Sequence, residues 1–257
     1  MKLLGPGIFL VFSPERFPRL IKNISKRISK FKFIHYVLLA ANLLVLFLAW
    51  AFLLYATWFS LHQFSLPKKE RVPAVMPVIP GLTVPITALA SIVLLLLVHE
   101  LSHGILAEYY GARVKSFGIV YLLFIPVGAF VEIDDQDLAA LAPSKKFNIF
   151  GVASLMNVLT GLLAVLLLRW LIPALHANLQ DVVAGKLSVL FWFAVLSISI
   201  GLVNLLPLAG LDGYKMMQAL EEMVRNRTLK TCIKKARDLL AALFLAVILL
   251  SFLAIIF

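Results

Sequence analysis

Residues 91–111 read SIVLLLLVHELSHGILAEYYG. Together with the apolar residues from Leu82 onward, this run is long enough to cross about 30 Å of hydrocarbon as a helix. Its second half nevertheless carries His99, Glu100 and His103. Ionisable groups inside an otherwise apolar span are expensive and mark function by default. Their order is H-E-x-x-H. On a helix the two histidines lie about 40° apart, so both rings can reach one metal ion. Glu100 lies about 100° to the side, suited to take a proton from a water rather than to ligate. A chance match to a five-residue pattern is the competing reading, and the apolar setting argues against it.

The rest of the chain explains that setting. Of 257 residues, 62% are hydrophobic and 14% charged, too few charges to coat a water-soluble globule. The composition excludes disorder, collagen and a disulfide scaffold, and the single cysteine, Cys232, excludes an internal disulfide and a cysteine-only metal site. The net charge of +11 would suggest nucleic acid as partner of a soluble domain, but in a membrane protein it reads as cytoplasmic bias. No nucleic-acid partner is expected; the lipid bilayer is.

Around 82–109, further spans are read at 34–61, 147–171, 187–206 and 239–257, giving about five transmembrane helices. The expected fold is an all-α polytopic membrane protein. One interruption is anticipated at 117–133, apolar but broken by Gly118, Pro126 and Gly128, which reads as a short re-entrant, hairpin-like strand pair between spans two and three. Residues 1–33 form a separate N-terminal segment: 3–12 is too short to span and contains Gly5, Pro6 and Gly7, so it reads as a piece that lies at the interface or re-enters. Residues 13–32 place Ile21, Ile24 and Ile28 at helical spacing among cations, a basic amphipathic helix for an anionic membrane face. Residues 34–257 form a single membrane domain with its core at 82–214. Nineteen cations fall on one side of the spans and five on the other, which places the N-terminus in the cytoplasm and the C-terminus outside.

A catalytic metal site needs three protein ligands and an open position. Glu108 lies on the wrong helical face, and Glu132, Asp134, Asp135 and Asp137 read as a solvated acidic loop. Asp212 is the better third ligand, in the stretch NLLPLAGLDG from Asn204 to Gly213. Pro207 ends or kinks the fourth span, and Gly210 and Gly213 permit the chain to turn back and aim Asp212 inward. Spans two and four run in the same direction, so both motifs fall toward the cytoplasmic side. The bland alternative is an interfacial turn aspartate.

H-E-x-x-H in one span and N-x-x-P-x-x-x-x-D-G in a later one resemble the site-2 protease family of intramembrane zinc metalloproteases, peptidase family M50. The resemblance covers about half the chain, 82–214. It implies one Zn2+ held by His99, His103 and Asp212, and Glu100 as catalytic base. Asn204 resembles the family asparagine near the substrate groove. The family's Gly-Pro-x-x-Asn element corresponds to Ala153-Ser154-Leu155-Met156-Asn157, which keeps the asparagine but lacks glycine and proline. Asn157 is therefore a candidate for substrate or oxyanion contact, or for an interhelical bond. The implied activity is hydrolysis of peptide bonds within or near transmembrane segments of a membrane-protein substrate, in a multi-pass protein of the cell membrane. The segment containing 126–131 would offer an exposed strand edge to an unwound substrate, or plug the site against lipid. The rival reading is a membrane metal-ion transporter or sensor using the same ligands without hydrolysis. His35, His62 and His176 read as interfacial residues.

Overall fold

The computed structural model describes residues 2–5, 8–12, 16–31, 33–122 and 125–256. In chain order it begins with strands β1 (Lys2–Gly5) and β2 (Ile8–Phe12), then helices α1 (Arg16–Ile28), α2 (Ile34–Gln63) and α3 (Ala88–Tyr110). Strands β3 (Val114–Leu122) and β4 (Ile125–Ile133) follow, then α4 (Asp135–Ala140) and α5 (Pro143–Ala174). The remainder is α6 (Leu179–Val183), α7 (Ser188–Asn204), α8 (Asp212–Met223) and α9 (Arg227–Ile256).

Among the described residues, α2, α3, α5 and α9 are long and apolar enough to cross a membrane. The counterpart of the span read at 187–206 is α7, which has 17 residues, about 25 Å of helix and the short end of the spanning range. Helix α9 runs through the basic stretch that opens it, so residues read as a loop extend the last span. Gly111 adopts φ +93 at the end of α3 and stops that helix in the left-handed conformation. Pro143 opens α5, where its missing N–H costs nothing.

Helix α5 is the centre of the bundle and packs on α2, α3, α7 and α8. Lipid tails give helices no hydrophobic reason to associate, so close backbone approach between small residues carries much of the association. The α5–α7 seam shows this. A Cβ at Gly161 would lie 2.6 Å from Ile198 Cγ1, and one at Gly201 would lie 3.0 Å from the Ser154 carbonyl oxygen. The main core joins Leu46, Ala49 and Leu53 of α2 to Phe147 and Leu155 of α5, Met216 and Met217 of α8 and Val247 of α9.

The segment after α3 is an antiparallel hairpin, β3–β4, as the sequence predicts, but it belongs to a larger sheet of order β1-β2-β3-β4. The N-terminal apolar stretch supplies the other two strands: β2 pairs with β3 from Ile8 opposite Leu122 to Phe12 opposite Gly118. It is thus neither a lone interfacial piece nor a spanning element where it is described; Pro6 and Gly7 lie outside the described residues. Within the basic stretch, residues 13–15 and 32 also lie outside them. The apolar stripe of α1 is taken up by protein. Ile21 is fully buried, touching the position of Gly104 in α3, and Phe17 stacks on Phe117 of β3 at 5.4 Å. Lys22, Lys26 and Arg27 stay exposed on the other face.

Candidate metal centre

Two helices and one turn build the centre. His99 and His103, one turn apart on α3, are both buried and set their rings nearly perpendicular, 4.9 Å between centroids. Asp212 is the first residue of α8 and is also buried. It arrives there because α7 stops at Asn204, Gly210 turns at φ +98, and the chain doubles back over Leu205 and Leu206. A Cβ at Gly213 would run into the Leu205 carbonyl, so only glycine permits this approach. Asp212 Oδ2 then stands 3.1 Å from His99 Nε2 and 3.0 Å from His103 Nε2. One donor atom from each of the three residues lies within 4.8 Å of the others.

The donor chemistry suits a divalent ion of the zinc type: two imidazoles and one carboxylate, buried and convergent. The second nitrogens of the rings support this. His103 Nδ1 lies 2.7 Å from the Ile149 carbonyl of α5, which accepts its proton and leaves the Nε2 lone pair facing Asp212. His99 Nδ1 lies 3.2 Å from the carboxamide of Asn157, also on α5.

A cavity of about 340 Å³ opens beside the three residues. Glu100 lines it together with Val131, Ile133, Asn204 and Lys215. The Glu100 carboxylate accepts a hydrogen bond of 2.9 Å from the Val131 backbone N–H of β4, which fixes it at the cavity wall. Asn204 donates to Asp212 Oδ2 at 2.8 Å and stands 2.9 Å from His99 Nε2. Asn157 does not line the cavity; it is fully buried behind the His99 ring.

The structure also shows groups without a side-chain signature in the sequence. The Ile149 carbonyl and the Val131 N–H are backbone atoms. Lys215, which reads as one more cytoplasmic cation, lines the cavity one helical turn beyond Asp212, its ammonium 5.1 Å above the Phe150 ring. The rejected acidic residues are engaged elsewhere: Glu108 accepts from the Val114 N–H at 2.9 Å, and Glu132 from Ser116 at 2.7 Å. Asp134 caps α4, and that bond from the Asp137 N–H, with help from Lys115, holds its carboxyl below the usual range. The Arg113 guanidinium, 2.7 Å away, does the same for Asp137. His35 is no bystander: its Nδ1 meets the Tyr110 hydroxyl at 2.9 Å, and buried Asn148 bonds both residues, tying α2, α3 and α5.

Comparison with known proteins points the same way. The model of the family described as Peptidase family M50 matches residues 87–181 and 172–251. An uncharacterized protein of Methanocaldococcus jannaschii is 42% identical over 78 residues, 28% of this chain and 20% of that protein. The zinc metalloprotease RasP of Oceanobacillus iheyensis is 34% identical over 76 residues, 30% of this chain and 18% of that protein. The matched part is thus about a fifth of the length of either relative.

Proposed function

The chain belongs to peptidase family M50, and from that premise we propose that it is a zinc endopeptidase that cleaves membrane-protein substrates within or near their transmembrane segments. The observation that carries the proposal is the convergence of His99, His103 and Asp212 in one buried group, with Glu100 beside it at a cavity. In this reading the three residues hold one Zn2+, a role their chemistry and paired orienting bonds fit. The ion, when bound, brings the pKa of a water toward about 7 and polarises the scissile carbonyl.

The remaining steps belong to the chain itself. Glu100, held by the Val131 N–H, takes the proton of the attacking water and delivers it to the leaving amine. Asn204, at the cavity wall, donates to Asp212 and is placed to contact substrate. A helical peptide bond is shielded by its own hydrogen bonds, so the substrate segment must unwind before attack. Strand β4, whose Val131 and Ile133 line the cavity, offers it an edge to pair with. The sheet also covers α3, where Val131 lies against Gly104, so the edge and the plug are one element. In this reading, supported by the cation bias, helix α1 and the active site lie toward the cytoplasm and 34–257 act as one catalytic unit, on which β2 and α1 pack.

Glu100→Gln tests the assignment. The full chain is purified in detergent and incubated with single-span peptides carrying a fluorophore. Wild type is expected to cleave and to hold one zinc; the variant is expected to lose cleavage and keep the zinc. Undiminished cleavage by the variant would overturn the mechanism, whereas a transporter or sensor would show no cleavage in either.

A further inference from the structure

We propose that Asn157 is a positioning residue for His99, accepting the Nδ1–H of that ring through its carboxamide oxygen, and not a donor to the substrate. The inference rests on the metal-site reading of His99, His103 and Asp212.

Three observations lead to it. Asn157 has no exposed surface and is absent from the cavity wall, which Asn204 occupies instead. Its carboxamide lies 3.2 Å from His99 Nδ1. Its Oδ1 is buried with no hydrogen-bond partner of its own. A neutral imidazole has one lone pair. Ligation through Nε2, the nitrogen that faces Asp212 at 3.1 Å, places the ring proton on Nδ1 and requires an acceptor there. The two ends of a carboxamide have nearly the same shape, so a half-turn about the terminal bond of Asn157 brings Oδ1 to the place where Nδ2 now meets Nδ1.

The partner ring shows the same device completed. His103 Nδ1 is held by the Ile149 carbonyl at 2.7 Å. Helix α5 therefore backs both rings, with a main-chain oxygen for one and a side-chain oxygen for the other. The Asn157 side chain is well supported for this task. A Cβ at Gly201 of α7 would lie 3.2 Å from Asn157 Cβ, so the small-residue seam presses α7 against that side chain. An acceptor of this kind sets the tautomer and raises the basicity of the ligand, and its loss typically lowers metal affinity about 10- to 100-fold.

The test measures metal directly. Full-length protein in detergent is titrated with Zn2+ in competition with a chromophoric chelator, and separately with Co2+ to record the ligand-field spectrum. Asn157→Leu is expected to weaken zinc about 10- to 100-fold and to alter the cobalt spectrum. Asn157→Asp, which can only accept, is expected to bind zinc at least as tightly as wild type. Asn157→Ser, too short to reach Nδ1, reports the same loss if leucine strains the seam. Leu and Ser variants that bind zinc like wild type overturn this inference alone, as does an Asp variant as weak as the Leu variant. A wild-type protein that takes up no zinc overturns the metal-site reading together with it.

Discussion

Replacing Gly213 by alanine tests how the third carboxylate is aimed. The backbone of α8 begins directly against the doubled-back chain. A methyl carbon on residue 213 would sit 2.6 Å from the Leu206 carbonyl oxygen and nearer still to that of Leu205. Ordinary van der Waals contact begins at 3.4 Å, so the first turn of α8 must retreat by about 0.8 Å from the Leu206 contact alone. Neither obstacle is a flexible side chain; both are main chain fixed by buried leucines. Asp212 precedes the new methyl and moves with it. A misplacement of about 1 Å costs on the order of 10²-fold in catalysis, and such overpacking costs about 1–3 kcal/mol in stability. Gly210→Ala is the internal control. That residue has φ +98 but open space around its Cβ position, so alanine there costs about 1–2 kcal/mol of backbone strain without displacing Asp212. The assay compares zinc affinity and peptide cleavage for both variants in detergent. Wild-type affinity and cleavage in Gly213→Ala, or equal losses in the two variants, would refute the steric argument.

Zinc removal should lower thermal stability: at free zinc 100 times its Kd, binding adds about 2.7 kcal/mol, so chelation should lower the melting temperature and zinc should restore it. Glu221→Ala should destabilise by about 1.5–3 kcal/mol in denaturant, because it takes the 2.7 Å partner from Arg237, which is 8% exposed, lies over the Tyr214 ring and is left with Asp238 at 3.1 Å. Val131→Pro deletes the N–H that holds Glu100 at 2.9 Å; since that N–H is not used toward β3, the sheet should survive, zinc should stay, and cleavage should fall at least about tenfold. The contribution of Asp134 to the α4 cap should be complete above the ordinary carboxylate range and be lost as pH falls through its lowered value. A fall on acidification in the protection of the Gln136 and Asp137 amides, measured against their intrinsic exchange rate at each pH, would show it; protection that does not respond would not fit.

The parts legible in the sequence are those where a side-chain period or a backbone constraint leaves a local mark. His99 and His103 share a helix face by spacing alone, and Pro207 with Gly210 and Gly213 marks the turn that brings Asp212 to them. The hairpin after α3 announces itself through its broken apolar run. What was illegible depends on partners distant in the chain or on main-chain atoms. The pairing of β2 with β3 joins residues about 110 positions apart, and an apolar stretch of that length looks the same whether it meets lipid or another strand. The apolar stripe of α1 has the same ambiguity, resolved only by Gly104 leaving room for Ile21. In the sequence Arg237 and Lys215 read as cytoplasmic cations like the others; a charge tally does not see that one is nearly buried and the other faces the cavity. For Asn157, the motif names the residue, whereas its position behind His99 is visible only in three dimensions.

The bond between Glu100 and β4 says more about the cavity than its length suggests. In a strand, the N–H and C=O of one residue point to the same side, and the side alternates along the chain. Val131 stands opposite Phe117 of β3. It sends its N–H the other way, to Glu100. The carbonyl of Val131 and the polar groups of Ile133 share that outward side, and both residues line the cavity. A peptide laid along this edge would meet the outward main-chain groups of β4 on either side of the Val131 N–H, which Glu100 already takes, and would lie beside that carboxylate. One strand would thus serve two ends in the proposed reaction. In the proposed function it would give an unwound segment the hydrogen bonds that a membrane cannot supply, and would set the distance between that segment and Glu100.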